Sequence, residues 1–243
     1  HHSMFRAIFV DPLNNLLAFL VNILPGLDIG LAIIVLTLLV KLILAPLHRK
    51  SIISQIEMKS LEPKINELKK QYPDKKEQAA KTFELYKEHK ISPFSGCLPI
   101  LIQLPIILAL YRVFLGGFDF ASHQLYSFVS MPTVFNVEFL GFVNLVEKSL
   151  VFAILAGITQ FLQVHFSVAM RSHAPADPSD TSMQANMSRM MGKQMKYVLP
   201  VFIIIIAYQI SAAVALYWIV NNIFTTVQEI MIYRRFKAKE LKA

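Results

Sequence analysis

The stretch Leu31–Leu47, LAIIVLTLLVKLILAPL, limits what this chain can become more than any other. It is almost wholly apolar and approaches the ~20 mainly apolar residues that cross a bilayer. One lysine, Lys41, lies deep inside it. A charge near the middle of a membrane helix costs roughly 2.5–3.5 kcal/mol on insertion scales, so it persists where it faces a partner or water and not lipid. Two readings follow. Lys41 can snorkel to the headgroups from a position shortly before Pro46, or it can line a polar cavity inside a helix bundle.

Composition fixes the class. Of the 243 residues, 55% are hydrophobic and only 16% are charged, against about 25% charged in soluble domains. The chain therefore reads as an all-α, polytopic membrane protein. The single cysteine, Cys97, excludes an internal disulfide and a cysteine-rich metal site. The net charge of +8 marks cytoplasmic loops in a protein of this class, in preference to a nucleic-acid surface. His1, His2 and Ser3 read as a tag remnant, and no cleaved signal peptide is expected. No internal repeat is present.

Residues 5–24 form the first element. Asp11-Pro12 predicts a helix start, with Asp as N-cap and Pro in the first turn. Leu13, Leu16, Leu17, Leu20, Ile23 and Leu24 share one face, while Asn14, Asn15 and Asn22 interrupt the rest. This is the pattern of an amphipathic helix lying in the membrane interface, closed by Pro25-Gly26.

Hydropathy places five spans at 29–47, 97–115, 150–169, 197–209 and 211–232. The last two are nearly continuous, with Gln209-Ile210-Ser211 as the expected turn and one long helix as the alternative. Of the 24 basic residues, twenty fall in 48–92, 170–196 and the tail 233–243. Only Arg6 and Lys148 fall on the other side, the latter in the outer loop 116–149. The positive-inside rule then puts the N-terminus outside and the C-terminus in the cytoplasm.

The loop 48–92 has helical periodicity. Ile53, Ile56, Leu61, Ile65, Leu68 and Tyr72 predict a first helix, kinked at Pro63. Asp74-x-x-Glu77 has capping-box spacing for a second helix, with Ala79, Ala80, Phe83 and Tyr86 as its stripe. The pair is expected to be a mobile cytoplasmic αα-hairpin; the alternative is a solvated basic linker. In 170–196, Ala174 to Asp180 reads as loop. Met183, Met187, Met190, Met191 and Met195 then cap the bundle or form an adaptable apolar surface, packing being the expected use.

Polar residues recur inside the spans: Gln103, Gln160 and Gln163, then Trp218, Asn221, Asn222 and Thr225, with Gln228 and Glu229 beyond. Trp218, Asn221, Thr225 and Gln228 share one helical face. Any single amide is best read as an interhelical hydrogen bond worth about 0.6–2 kcal/mol. Together with Lys41 they describe a hydrated cavity short of acids, suited to acidic or polar groups arriving from elsewhere. No HExxH, GxSxG or P-loop motif and no intramembrane aspartate pair is present. His165 and Cys97 read as packing residues, and no cofactor or metal is expected.

Ser95-Gly96-Cys97-Leu98-Pro99, followed by Gln103-x-Pro105-Ile106 and Ala109-Leu110-Tyr111, resembles the second core span of the YidC family of membrane protein insertases. Gly30 to Ile34 through Leu44-x-Pro46-Leu47 resembles the first span of that family, and Leu216-Tyr217-Trp218-Ile219-Val220-x-Asn222 the fifth. The hairpin ending Leu85-Tyr86-Lys87 also fits, so the resemblance covers essentially 5–236. It implies a five-helix core around a hydrophilic groove open to cytoplasm and lipid and closed on the outer side. Groove residues would be Lys41, Gln103, Gln160, Gln163, Trp218, Asn221, Asn222 and Thr225. Ile56, Leu61, Ile65, Leu68, Phe83 and Tyr86 on the hairpin would capture the client. Lys41 stands where the family usually has arginine, which keeps the charge but loses the bidentate fork. Ala212 to Ala215 stands where a glycine is common.

The resemblance further implies insertion of nascent membrane proteins into the bacterial cytoplasmic membrane without nucleotide hydrolysis. The chain would act as a monomer, with the ribosome and the Sec translocon as possible partners. The short tail after Tyr233 argues against strong ribosome docking, and the large periplasmic domain of many relatives is not in this sequence. A small-solute transporter with a midplane site would favour repeats and two gates. An intramembrane enzyme would need a nucleophile–base pair or a metal set. Neither is visible in the sequence.

Overall fold

The computed structural model describes residues 4–24, 26, 28–92, 98–115, 118–122, 124–167, 190 and 192–240. The expectations that rest on His1 to Ser3, Pro25, residues 93–97, Ala174 to Asp180, Met183, Met187 and Met191 lie outside the described residues. The fold is almost entirely helical, as the hydrophobic periodicity requires. A widened π-type turn, Arg6–Val10, leads into α1 (Asp11–Ile23). The other helices are α2 (Ile29–Ser60), α3 (Glu62–Gln71), α4 (Lys75–Glu88), α5 (Leu98–Leu115), α6 (Leu150–Phe166), α7 (Leu199–Gln209) and α8 (Ala212–Glu240).

The chain is already helical ahead of Asp11, so Asp11 is not the N-cap its sequence position suggests. Pro12 lacks an N–H and its ring crowds the carbonyl four residues back; the widened turn at Arg6–Val10 accommodates both. The Asp11 carboxylate instead accepts from Arg6 Nε at 3.4 Å. The buried face of α1 also differs from the leucine face. Leu17 and Leu20 are buried, but so are Asn14 and Asn15, while Ile23 is exposed. Asn15 and the exposed Asn22 tie down the outer loop, while the Asn14 amide nitrogen is buried without a hydrogen-bond partner. Asn15 donates to Gln124 O at 2.9 Å and accepts from Tyr126 N at 2.7 Å. Asn22 donates to Ser130 O at 2.7 Å.

Asp28 caps α2, its carboxylate accepting from Gly30 N and Leu31 N at 2.7 and 3.2 Å. The helix passes through Pro46 and continues to Ser60, beyond the 29–47 span read from hydropathy. No glycine or proline follows Pro46 until Pro63, so nothing in the backbone stops it where the apolar run ends. Its 32 residues reach about 48 Å, well past a hydrocarbon core of ~30 Å. Pro63 therefore does not kink one long hairpin helix. The chain breaks at Leu61, and Pro63 sits in the first turn of α3, where its missing N–H costs nothing. Asp74 caps α4 as expected, accepting from Lys76 N at 3.4 Å. Gln78 ties α4 back to α3 through Lys69 O at 3.0 Å and Tyr72 O at 2.6 Å.

Between α7 and α8 the chain breaks at Ile210-Ser211, which resolves the turn in favour of two helices. The first amides of α8 have no partners within their own helix. Ala212 N and Ala213 N donate to Glu147 O and Leu145 O at 2.7 and 3.0 Å, so the outer loop supplies the cap. That loop also carries a small hairpin that periodicity did not predict, β1 (Glu138–Phe139) paired antiparallel with β2 (Val143–Asn144). Its Phe139 ring lies on Gly30 so closely that a Cβ there would come within 2.2 Å. Residues 233–240 are no loose tail. They are the end of α8, and Ile232, Tyr233 and Phe236 pack on Ile52 and Ile56 of α2.

The main core gathers at the loop-side ends of the bundle. Leu17, Val21, Ile29, Ile33, Leu36 and Phe114 are fully buried, as are Ala153 and Ala156 of α6 and Ala207 of α7. Every residue from Ala212 to Tyr217 is buried, so α8 is enclosed on all sides there.

Candidate functional site

Past that core the helices separate around a cavity of about 340 Å³. A single water needs only ~10–15 Å³ of such space. Its walls are the far halves of α2, α5, α6 and α8 and the start of α7. All eight groove residues read from the sequence line it: Lys41, Gln103, Gln160, Gln163, Trp218, Asn221, Asn222 and Thr225.

Lys41 points inward between α2 and α8, only 6% exposed. Its amine donates to Thr225 Oγ1 at 3.0 Å, and Thr225 in turn donates to Asn221 O at 2.8 Å. Snorkelling away from the bundle is therefore not what this side chain does. Further along, Gln228 Nε2 donates to Ala45 O at 3.3 Å, and Gln228 Oε1 lies 3.3 Å from His48 Nδ1. The pairs 41/225 and 45/228 rise together, so α2 and α8 run side by side in the same direction.

The opposite walls are built from amides and hydroxyls. Gln160 accepts from Trp218 Nε1 at 3.2 Å and donates to Gln163 Oε1 at 3.0 Å. Asn222 donates to Thr159 Oγ1 at 3.3 Å. Gln103 of α5 donates to the Tyr217 hydroxyl, closing the cavity against the core. Asn221 Oδ1 is buried without a hydrogen-bond partner, and an unsatisfied buried acceptor costs about 1–3 kcal/mol. The lining thus offers one amine, several amide donors, an open acceptor and one carboxylate, that of Glu229, to a polar group entering from the α2/α8 end. No group of three His, Cys, Asp or Glu side chains placed to hold a metal ion occurs among the described residues.

Sequence reasoning missed His48, Gln55 and Ser167 in this lining and did not assign Tyr217, Glu229 or Met195 to it. The signal for two of them was present. Lys41, His48 and Gln55 are seven residues apart in turn, which returns each to the same helical face. Ending the span at Leu47 hid that register.

The proposed capture residues are not brought together. Ile56 is 9% exposed beneath the end of α8, and Leu61 is buried at the α2–α3 break. Both are already engaged within the fold and are withdrawn as client contacts. Ile65, Leu68 and Tyr86 are half-buried, and Phe83 is exposed. His165 stacks on Phe161 at 6.0 Å, a packing role.

A profile described as "60Kd inner membrane protein" matches residues 19–240. The membrane protein insertase YidC of Oceanobacillus iheyensis is 32% identical over 244 residues, covering 98% of this chain and 87% of that protein. That of Fusobacterium nucleatum is 34% identical over 227 residues, covering 92% and 96%. The protein of the same name from Francisella philomiragia is 35% identical over 214 residues, or 88% of this chain but 34% of its own length. The matches agree with the resemblance carried by the Leu-Tyr-Trp and Gln-x-Pro motifs, and the chain belongs to the 60Kd inner membrane protein family, to which these YidC insertases are its relatives.

Proposed function

We propose that this chain is a membrane protein insertase whose 340 Å³ cavity receives the polar flank of a client segment. Five apolar helices, α2, α5, α6, α7 and α8, form the membrane core, α1 lies at the outer interface, and α3–α4 project into the cytoplasm. The single observation that carries this reading is the position of Lys41. It is a cation held inside a span, in a cavity lined by amides, on the side where the basic residues collect. A hydrophobic client would approach at the α2/α8 end. Its short polar or acidic flank would enter the cavity, where Lys41 attracts it and the amides solvate it, so the flank crosses a thinner apolar layer. The client would then move sideways into lipid, driven by burial of apolar surface away from water. The half-buried Ile65, Leu68 and Tyr86 and the exposed Phe83 remain the candidate capture surface.

The test is insertion into protein-free liposomes of matched single-span clients that differ only in flank charge. Lys41→Arg should insert all clients as wild type does. Lys41→Ala should slow acidic-flank clients about fivefold, the loss of roughly 1 kcal/mol between unit charges at 4 Å in a watery site. It should leave neutral flanks nearly unchanged, and Lys41→Glu should be worse than Lys41→Ala for acidic flanks. Equal losses for both client types, accompanied by a lower Tm, would reduce Lys41 to a structural residue holding α2 to α8 through Thr225.

A further inference from the structure

A second pocket, of about 350 Å³, opens on the outer surface of the α2–α8 pair, away from Lys41. Its lining divides sharply by chemistry. Arg49 of α2 and Arg235 and Lys239 of α8 surround it with three cations. Ile53, Met231 and Phe236 form its apolar walls. Among the described residues, none of the three cations makes a salt bridge. Three like charges around one pocket repel one another, and an anion seated among them would relieve that repulsion.

The surroundings identify which anion. Toward the core of the bundle, the same faces of the two helices continue as Leu42, Ile223 and Val227, all exposed. Their spacing from the pocket residues, three or four positions per step, makes a continuous apolar track ending at the cations. Leu42 lies within the apolar run that ends at Leu47, and the Lys41–Thr225 and Ala45–Gln228 pairs put Ile223 and Val227 of α8 beside it, so the cations begin where that run ends, toward the headgroups. A molecule with a phosphate at one end and hydrocarbon at the other matches both parts. A nucleic acid phosphate would match only the cations.

We propose that this pocket is a binding site for one anionic phospholipid, its phosphate held by Arg49, Arg235 and Lys239 and its acyl chains lying along Leu42, Ile223 and Val227. The site ties the end of α8 to α2 from the lipid side, opposite the cavity. The proposal rests on the reading that α2 and α8 cross the membrane, but not on insertion activity.

The experiment is native mass spectrometry of the full chain released from nanodiscs of phosphatidylglycerol and phosphatidylcholine, counting retained lipids. Wild type should retain one phosphatidylglycerol and no phosphatidylcholine. Each of Arg49→Gln, Arg235→Gln and Lys239→Gln should weaken retention about fivefold, as expected for one basic group near an anionic surface. Lys237→Gln should not, because that amine lies over the Tyr233 ring and outside the pocket. Met231→Trp, which fills the pocket with all three charges kept, should also expel the lipid. That variant decides the matter if a charge variant misfolds. Three results would overturn the proposal: equal retention in Met231→Trp and wild type, displacement of the lipid by millimolar inorganic phosphate, and protection of the three cations by a short RNA but not by phosphatidylglycerol. Loss of insertion with lipid retention intact would count against the insertase reading alone.

Discussion

The two halves of α8 are a controlled comparison within one helix. From Ala212 to Tyr217 every side chain is buried, four of the six being alanine or valine. From Trp218 onward only one face is buried, and it is made of Asn222, Thr225, Gln228 and Glu229. Helix α2 changes at the same level, from Ile29, Ile33 and Leu36 to Lys41. Small residues let the helices close on one another, and long polar ones hold them apart. The bundle is therefore dry and sealed toward the outer loop, and polar and open at the other end. A groove closed on one side requires this asymmetry, and it is built by side-chain size and polarity with no change of fold.

Damage to the dry half should cost the most stability. Phe114 is fully buried and packs on Phe118 at 5.6 Å between ring centroids. Phe114→Ala should destabilise by about 3–5 kcal/mol, read as a large fall in Tm in detergent or nanodiscs. Next comes the contact between α6 and α7 beside the cavity. A Cβ on Gly157 would meet Ile204 at 2.2 Å and Pro200 O at 3.1 Å. Gly157→Ala should cost about 1–3 kcal/mol through overpacking, and Ile204→Ala in the same chain should restore part of it. The smallest effect belongs to the polar half. Trp218→Phe removes the donor to Gln160 and should cost about 0.6 kcal/mol, typical of an interhelical hydrogen bond in a membrane. A Trp218→Phe loss as large as that of Phe114→Ala would abolish the distinction between the two halves.

The polar half was the more legible one. Amides and a lysine are conspicuous in apolar runs, and the eight proposed groove residues all reach the same cavity, whereas Gln228 lines the pocket on the other side of the α2–α8 pair. Helix ends were less legible, because a hydropathy window reports where the membrane stops and not where the backbone does. That is why α2 ran on past His48 and Gln55, why Pro63 starts a helix, and why Ile56 serves the α2–α8 contact. The same polar face lowers the mean hydropathy of α8. By length and hydropathy, only 6–23 and 29–60 qualify as candidate spans among the described residues. The β1–β2 hairpin left no periodic signal, since two-residue strands are too short to alternate.

The asymmetry itself can be measured by water access along α8. On a Cys97→Ser background, single cysteines at Ala213, Asn221 and Ile223 sample the dry half, the cavity and the lipid face. In liposomes, a charged, water-soluble maleimide should label Asn221→Cys rapidly and leave Ala213→Cys and Ile223→Cys unlabelled until the membrane is dissolved and the protein unfolded. Rapid labelling at 213, or none at 221, would contradict a sealed core beneath a hydrated groove.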